Sequence, residues 1–209
     1  SAVASKRESL IASAEKSLLK GKVDAALKDY LKVLEETPND INVLNKVGDL
    51  YVRLGRNDES IPFFLRIAEH YARDGFYVRG IAMYKKINKL DPARLDIYEK
   101  LAELYVKQQL WMEAKSNYQV LADYLLKQDN LQGAVGIYQK MVAIEPQNLQ
   151  LHVRLADLFT QAKRLPEALQ EYAVVAAALS ERGANEESIR VYEKALKLAP
   201  DNVEILRTL

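Results

Sequence analysis

Residues 64–92, FLRIAEHYARDGFYVRGIAMYKKINKLDP, hold the pattern that decides the fold, because four positions of this stretch return along the chain every 54 residues. The recurring residues are Ala14, Ala68, Ala122 and Ala176; Tyr30, Tyr84, Tyr138 and Tyr192; Lys32, Lys86, Lys140 and Lys194; and Pro38, Pro92, Pro146 and Pro200. A fixed period of this length indicates a repeat architecture, in which each unit packs against its neighbours.

The recurring prolines divide the 209 residues into three full units of 54 residues with a partial unit at each end. The units are residues 1–38, which form a partial unit, then 39–92, 93–146, 147–200, and residues 201–209, which begin the next. We interpret residues 1–209 as a single array. Because the chain starts and stops inside a unit, with no polar closing helix, we expect it to be a piece of a longer protein.

Helical periodicity runs through every unit, since apolar residues recur at i, i+3, i+4 and i+7 between glycines and prolines, and no stretch alternates with period two. The pattern predicts an all-α protein of eleven helices, with a twelfth beginning at residue 203. The predicted helices span 7–20, 24–37, 41–54, 58–73, 77–90, 95–108, 112–127, 131–144, 149–162, 166–181 and 185–198. Their short connections predict antiparallel neighbours.

Composition excludes several classes of function. Thirty basic residues against 29 acidic ones leave no net positive charge to attract nucleic acid. The chain has no cysteine, so thiolate metal sites and disulfides are excluded. No apolar run reaches the roughly 18 residues that a membrane span requires. We therefore expect a cytoplasmic protein that binds no nucleic acid and has no membrane span.

The units resemble the tetratricopeptide repeat, a helix–turn–helix motif of about 34 residues. The matching residues are Leu10, Ala14, Gly21, Ala26, Tyr30 and Pro38; Leu44, Val47, Gly48, Tyr51, Gly55 and Phe64; Tyr98, Leu101, Ala102, Tyr105, Ala114 and Tyr118; and His152, Leu155, Ala156, Phe159, Ala168 and Tyr172. The resemblance covers nearly the whole chain. It implies a right-handed α-solenoid of antiparallel helices that acts by binding proteins.

One departure from the family pattern suggests a composite unit of three helices. The proline expected after the second helix is absent, and that helix also reads as the first helix of another repeat, through Phe64, Ile67, Ala68 and Tyr71. Two repeats of about 34 residues that share one helix span about 54 residues. We therefore predict that the middle helices 58–73, 112–127 and 166–181 are the most buried. Whether helices alternate strictly between two walls or form three-helix layers is left open.

A second resemblance is one of general sequence character and rests on no motif. Residues 68–92 look like bacterial repeat proteins of the myxobacterial type, some of which act in motility and cell polarity and bind a Ras-like small GTPase. The resemblance implies a bacterial protein and a small GTPase as its partner. The sequence does not name the partner, the organism or the oligomeric state.

A charged row on the first helix of each unit is the main candidate binding site. Its members are Lys46, Asp49, Arg53, Lys100, Glu103, Lys107, Arg154 and Asp157. The resemblance implies that these positions line a concave groove, where we expect a partner of alternating charge to bind. The alternative is that opposite charges three residues apart neutralise each other on a solvated face. Secondary partner-binding candidates are Tyr77, Trp111 and Tyr124.

Catalysis has no support in the sequence. No Ser–His–acid set, phosphate-binding loop or metal-ligand spacing occurs. His152 falls in phase with Leu44 and Tyr98, which predicts a core position rather than a metal ligand. We predict no catalytic residue, no cofactor and no metal. The predicted function is a non-enzymatic scaffold or adaptor. The alternative is a regulatory or substrate-recruiting arm of an enzyme whose catalytic domain lies outside these residues.

Overall fold

The computed structural model of the chain describes residues 2–203 and residue 207. Its described part consists of eleven helices without a strand. The helices are α1 (Ala2–Leu19), α2 (Val23–Glu36), α3 (Ile41–Arg53), α4 (Asn57–Arg73), α5 (Tyr77–Leu90), α6 (Leu95–Lys107), α7 (Trp111–Lys127), α8 (Leu131–Ile144), α9 (Leu149–Gln161), α10 (Leu165–Glu181) and α11 (Asn185–Leu198). The prediction of an all-helical fold is confirmed.

The predicted helix bounds agree with the observed ones to within one residue, with one exception at the start of the chain. Helix α1 begins at Ala2 instead of residue 7, because residues 2–6 contain no glycine or proline that would end the helix. The twelfth helix, predicted from residue 203, falls mainly on residues 204–206, 208 and 209, which lie outside the described residues.

The turns that follow the first helices share one backbone conformation. Gly55 ends the turn after α3 with a φ of 73°, in the left-handed region that glycine adopts without strain. The same phase of the repeat holds Gln109 at 58° and Lys163 at 59°. The turn geometry is therefore kept where the glycine is not.

The helices form two compact units. Unit 1, Ser1–Gln109, holds α1 to α6, and unit 2, Leu110–Leu209, holds α7 to α11. The boundary lies between α6 and α7, inside the sequence repeat 93–146, so the compact units do not coincide with the 54-residue repeats. The single array over residues 1–209 stays a prediction.

The most extensive helix packing in unit 1 is between neighbours in sequence. Helix α4 packs tightly on both α3 and α5, and α1 packs tightly on α2. The contacts α2–α3 and α5–α6, across Pro38 and Pro92, are looser. A Cβ at Gly48 of α3 would lie 2.4 Å from a ring carbon of Phe64 in α4, so any larger residue at this close approach would force the Phe64 ring to shift.

Unit 2 repeats the arrangement. Helix α10 packs tightly on both α9 and α11, and α7 packs on α8, while the α8–α9 contact across Pro146 is looser. Short connections between these helices make neighbours antiparallel. Each unit thus has the successive helix-on-helix stacking of an α-solenoid.

The prediction that the middle helices are the most buried is wrong. Five of the 17 residues of α4 are buried, against five of 13 in α3. In unit 2, α10 buries four of 17 residues, whereas α9 buries six of 13. The reason is that a middle helix is a turn longer than its partner and keeps one side in solvent. Met112 and Val120 of α7, for example, are 78% and 44% exposed.

Candidate functional site

The eight residues of the charged row lie in three groups on three helices. Lys46, Asp49 and Arg53 are on α3, Lys100, Glu103 and Lys107 on α6, and Arg154 and Asp157 on α9. All are exposed except Asp157, which is half-buried. Helices α3 and α6 both belong to unit 1, but α4 and α5 separate them in the chain and they do not pack on each other. The row is therefore not one continuous stripe within unit 1.

The acid on α3 is paired within the protein. Asp49 accepts a hydrogen bond at 2.7 Å from the ammonium group of Lys86, which is on α5. The same ammonium group lies 4.1 Å from the ring centroid of Phe64 on α4, within the range of a cation–π interaction. Three helices therefore contribute one acid, one aromatic ring and one lysine to a single cluster.

The acid on α9 is paired in the same way. Lys194 of α11 donates to Asp157 at 3.0 Å and lies 5.2 Å from the ring centroid of Tyr172 on α10. The Tyr172 hydroxyl also donates to Asp157. The hydrogen bond to Asp157 raises the pKa of Lys194, and burial followed by the contact with Asp157 raises the pKa of Tyr172. We call Asp49–Lys86 and Asp157–Lys194 the Asp–Lys bridges.

The Asp–Lys bridges settle how the first and third helices of these two repeats are arranged. Helix α4 packs on both α3 and α5, and Lys86 of α5 reaches α3 directly. Helices α3 and α5 therefore lie side by side on one face of α4. The same argument places α9 and α11 side by side on one face of α10.

Sequence reasoning missed these bridges. The recurring lysines lie near helix C-termini, where a positive charge is favourable, and this position alone accounts for them without a partner. In the structure, Lys86 and Lys194 reach acids on other helices, and both pairs are separated by 37 residues. The signal available in the sequence was an aspartate and a lysine 37 residues apart, a spacing that occurs in both repeats.

The bridges change the charge that the row presents. With Asp49 and Asp157 paired internally, the cations of the row are left over. Within the described residues, no ion pair is formed by Lys46, Arg53, Lys100, Lys107 or Arg154. On α3 and α9 the row is therefore cationic rather than alternating in sign.

A polar groove borders the row on α3. Its cavity of about 420 Å³ lies between α1 and α3 and is lined by Arg7, Ile11, Asn42, Val43, Asn45, Lys46 and Asp49. Arg7 is paired with Asp40 at 2.6 Å, and the Asn45 amide contacts Asp49 at 3.4 Å. Of the groove's cations, Lys46 is the one without an acidic partner among the described residues.

An apolar groove borders the row on α9. Its cavity of about 490 Å³ is formed by α9, α10 and α11. The lining residues are Leu149, Gln150, Val153, Arg154, Asp157, Val175, Leu179, Glu187 and Val191. Sequence reasoning placed Arg154 and Asp157 here but missed the aliphatic floor beside them.

The three secondary candidates differ in exposure. Tyr77 begins α5, is half-buried and packs against the core of unit 1. Trp111 begins α7 with 43% exposure, and Tyr124 near the end of α7 is 42% exposed. The two exposed rings lie on one helix, outside both grooves. Their role stays a prediction.

The histidines are used structurally. His152 is buried, as predicted, with one ring nitrogen 2.6 Å from Glu171 and the other 2.8 Å from the carbonyl oxygen of Pro146. His70, in the last turn of α4, lies 3.2 Å from the carboxylate of Asp74, the residue that follows the helix. Across residues 2–203, no cluster of three or more His, Cys, Asp or Glu side chains has metal-binding geometry. Nor does any helix in that range combine the length and apolarity of a membrane span.

Comparison with known families agrees with this helical geometry. The fold and its repeated bridges define an all-helical repeat protein. Models of the tetratricopeptide repeat match residues 41–69, 125–182 and 169–202. The chain contains tetratricopeptide repeats, which are modules of protein–protein interaction. Two of the matches overlap at residues 169–182, which comprise most of α10 and the residue that follows it.

A solved structure shows the same fold at low sequence identity. A signal transduction ATPase with numerous domains and a tetratricopeptide repeat sensor, from Pyrococcus horikoshii, superposes with a TM-score of 0.52 at 18% identity. The match covers 97% of this chain and 37% of the ATPase chain, so the chain spans little more than a third of that protein. No curated protein sequence matches the chain.

Two further structures superpose less closely. BtubC from P. vanneervenii has a TM-score of 0.45 at 14% identity, over 95% of this chain and 91% of its own. YrrB, described as a tetratricopeptide repeat protein with an unusual peptide-binding site, has a TM-score of 0.31 at 17% identity, over 86% and 96%.

Proposed function

We propose that the chain is a non-enzymatic scaffold or adaptor that binds a protein segment or a folded partner through the charged row. The observation that carries this proposal is the pairing of Asp49 and Asp157 inside the protein, while Lys46, Arg53 and Arg154 keep their charges on the same helices without an acidic partner in the described residues. A solvated face with no function would not need its acids and bases separated in this way.

The unpaired cations favour an acidic partner. This differs from the partner of alternating charge that the sequence predicts, because the acids of α3 and α9 are already neutralised by the Asp–Lys bridges. Exposed charges act mainly on association rate and specificity, and they are screened by salt. Binding is therefore expected to weaken as ionic strength rises.

Simultaneous charge reversal tests this proposal. The triple variant Lys46→Glu, Lys100→Glu and Arg154→Glu changes three exposed side chains that make no ion pair within the described residues. Affinity for a partner captured by the wild-type chain should fall, as measured by isothermal titration calorimetry. Helicity and melting temperature should stay at their wild-type values, because no buried contact is removed.

A charge-conserving variant provides the control. Lys46→Arg, Lys100→Arg and Arg154→Lys together should keep the affinity close to wild type, since the charges are retained. Undiminished affinity of the charge-reversed variant would show that the row is only a solvated face.

The alternative function is an arm of a larger enzyme that recruits substrate or regulates activity. This alternative is kept because the signal transduction ATPase carries its tetratricopeptide repeats as a sensor. The chain spans 37% of the length of that ATPase. Under this alternative the charged row would belong to a longer protein, and a catalytic domain in the full-length sequence would distinguish the alternative from the scaffold function.

The finer assignments from the sequence stay predictions. They are a bacterial protein, a cytoplasmic location, a role in motility or cell polarity, and a Ras-like small GTPase as partner. Calorimetry with a purified Ras-like GTPase, loaded in turn with GTP and GDP, tests the last of these. Heat of binding in neither nucleotide state would remove the GTPase from consideration.

A further inference from the structure

The apolar groove of unit 2 has an aliphatic floor. The equivalent helix face is polar in the other two full repeats. Val153 of α9 lines the groove and is half-buried. The same phase of the repeat holds Asn45 on α3 and Glu99 on α6. A valine at this position leaves apolar surface in contact with water, which is unfavourable unless another group covers it.

The walls of the groove come from three helices that are firmly packed together. Leu149 and Val153 belong to α9, Val175 and Leu179 to α10, and Val191 to α11. Helix α10 packs tightly on both of the others, and the Asp157–Lys194 bridge joins α9 to α11. The cavity is therefore preformed, and its volume of about 490 Å³ is large enough to hold more than one side chain.

The rim of the groove presents one cation and one anion. Arg154 on α9 and Glu187 on α11 both line it, and neither forms an ion pair within residues 2–203. Asp157 also lines the groove, but its carboxylate already accepts hydrogen bonds from Lys194 and Tyr172. The groove thus offers an aliphatic floor between two charges of opposite sign on opposite walls.

The two charges stand at defined places along the groove. Helices α9 and α11 run in the same direction, because α10 is antiparallel to both. Glu187 lies in the first turn of α11 and Arg154 in the second turn of α9, and the Asp157–Lys194 bridge follows further along both helices. A bound segment would therefore contact Glu187, then Arg154, and then the Asp157–Lys194 bridge in a fixed order along the groove.

We propose that this groove binds a short protein segment that carries an aliphatic anchor side chain, a carboxylate beside it for Arg154, and an amine or guanidinium group for Glu187. The proposal rests on the protein-binding function proposed above and specifies the chemistry of the partner. The aliphatic anchor supplies affinity by covering the floor, and the two rim charges fix the direction in which the segment lies.

The experiment selects ligands from a random peptide library displayed on phage, with the complete 209-residue chain immobilised. Enriched peptides should contain an aliphatic residue with an acidic and a basic residue on either side. Affinity of the best peptide is then measured by fluorescence anisotropy. Val153→Asn, which installs the residue of the first full repeat, should weaken binding about tenfold, because the floor becomes polar.

Two further variants report on the rim. Glu187→Arg, the residue that Arg79 provides in the same phase of the repeat, should weaken binding of peptides with a basic flank. Glu193→Arg, the same change at an exposed position of α11 outside the groove, is the matched control and should bind within about twofold of wild type. Both changes are on exposed side chains, so neither should alter the melting temperature.

Three outcomes overturn the proposal. They are a selection that enriches no peptide, enriched peptides without the aliphatic and oppositely charged residues, and affinity unchanged by both Val153→Asn and Glu187→Arg. Peptides that depend on Lys46 but not on Val153 would leave the protein-binding function standing and remove only this groove. Binding that survives Val153→Asn, Glu187→Arg and the triple charge reversal would contradict both the groove proposal and the proposed function of the charged row.

Discussion

Tyr30 is fully buried, and its hydroxyl has no hydrogen-bond partner in the described part of the chain. Leaving a buried hydroxyl unpaired costs about 1–3 kcal/mol. We therefore predict that Tyr30→Phe is as stable as wild type or up to about 1 kcal/mol more stable in urea unfolding.

A second tyrosine serves as the control for Tyr30. The Tyr172 hydroxyl donates to Asp157, so Tyr172→Phe should lose about 1 kcal/mol. A loss of stability in Tyr30→Phe of the same size as in Tyr172→Phe would contradict the assignment of an unpaired hydroxyl.

Ala122 tests how the middle helix α7 is packed. Its side chain is fully buried, whereas Ser116 on the same helix is exposed. Ala122→Glu should unfold or fray the protein, since an unpaired buried charge costs several kcal/mol, while Ser116→Glu should melt like wild type. If circular dichroism shows equal melting for both variants, the interpretation of α7 as a helix shared by two repeats fails.

Glu145 predicts a pH dependence of stability. It follows α8 and accepts hydrogen bonds from Asn148 at 2.8 Å and from Lys115 at 2.9 Å. The Asn148 hydrogen bond first, and then Lys115, lower the pKa of Glu145 in the folded state. A lowered folded pKa stabilises the protein above the unfolded value of about 4.3, and this stabilisation is lost as pH falls through the folded pKa.

Comparison of two glutamine variants isolates this contribution. Glu145→Gln should be less stable than wild type at neutral pH, and the difference should shrink as pH is lowered from about 5 to 3. Glu113→Gln, at an exposed position, should show no such change. A stability difference for Glu145→Gln that is constant across this range would contradict the assignment.

At the scale of the helix and turn, Lys163 shows how the repeat tolerates an unfavourable residue. Its φ of 59° is in the left-handed region, where a side chain costs roughly 1–2 kcal/mol and glycine does not. Lys163→Gly should therefore raise stability by about 0.5–1 kcal/mol in thermal unfolding, while Lys163→Ala should not. Equal melting of the two variants would mean that the turn carries no strain.

The helix bounds could be predicted because their causes are local. Glycine, proline and capping residues such as Asp40 and Asn148 act on the backbone beside them, and apolar periodicity marks the packed face. The relative burial of the middle helices could not be predicted. It depends on how much of a longer helix extends past its neighbours, as Met112 does, and this is a property of packed helices rather than of one sequence window.

At the scale of the whole molecule, the 54-residue period predicted the stacking of helices within each unit. It did not predict the Asp–Lys bridges or the apolar groove. Asp49 and Lys86 are 37 residues apart, so their contact depends on three helices meeting. The apolar groove depends on the same meeting of α9, α10 and α11. The shared-helix interpretation stays a prediction, which the overlap of two repeat matches at residues 169–182 supports.

The most direct test of the account is a hydrogen–deuterium exchange footprint of the wild-type chain with and without its captured partner. The central claim is that the partner binds the charged row, so amides of α3, α6 and α9 should exchange more slowly in the complex, with further protection on α11 if the apolar groove is occupied. Protection confined to the start of α5 and to α7, where Tyr77, Trp111 and Tyr124 lie, would contradict the account.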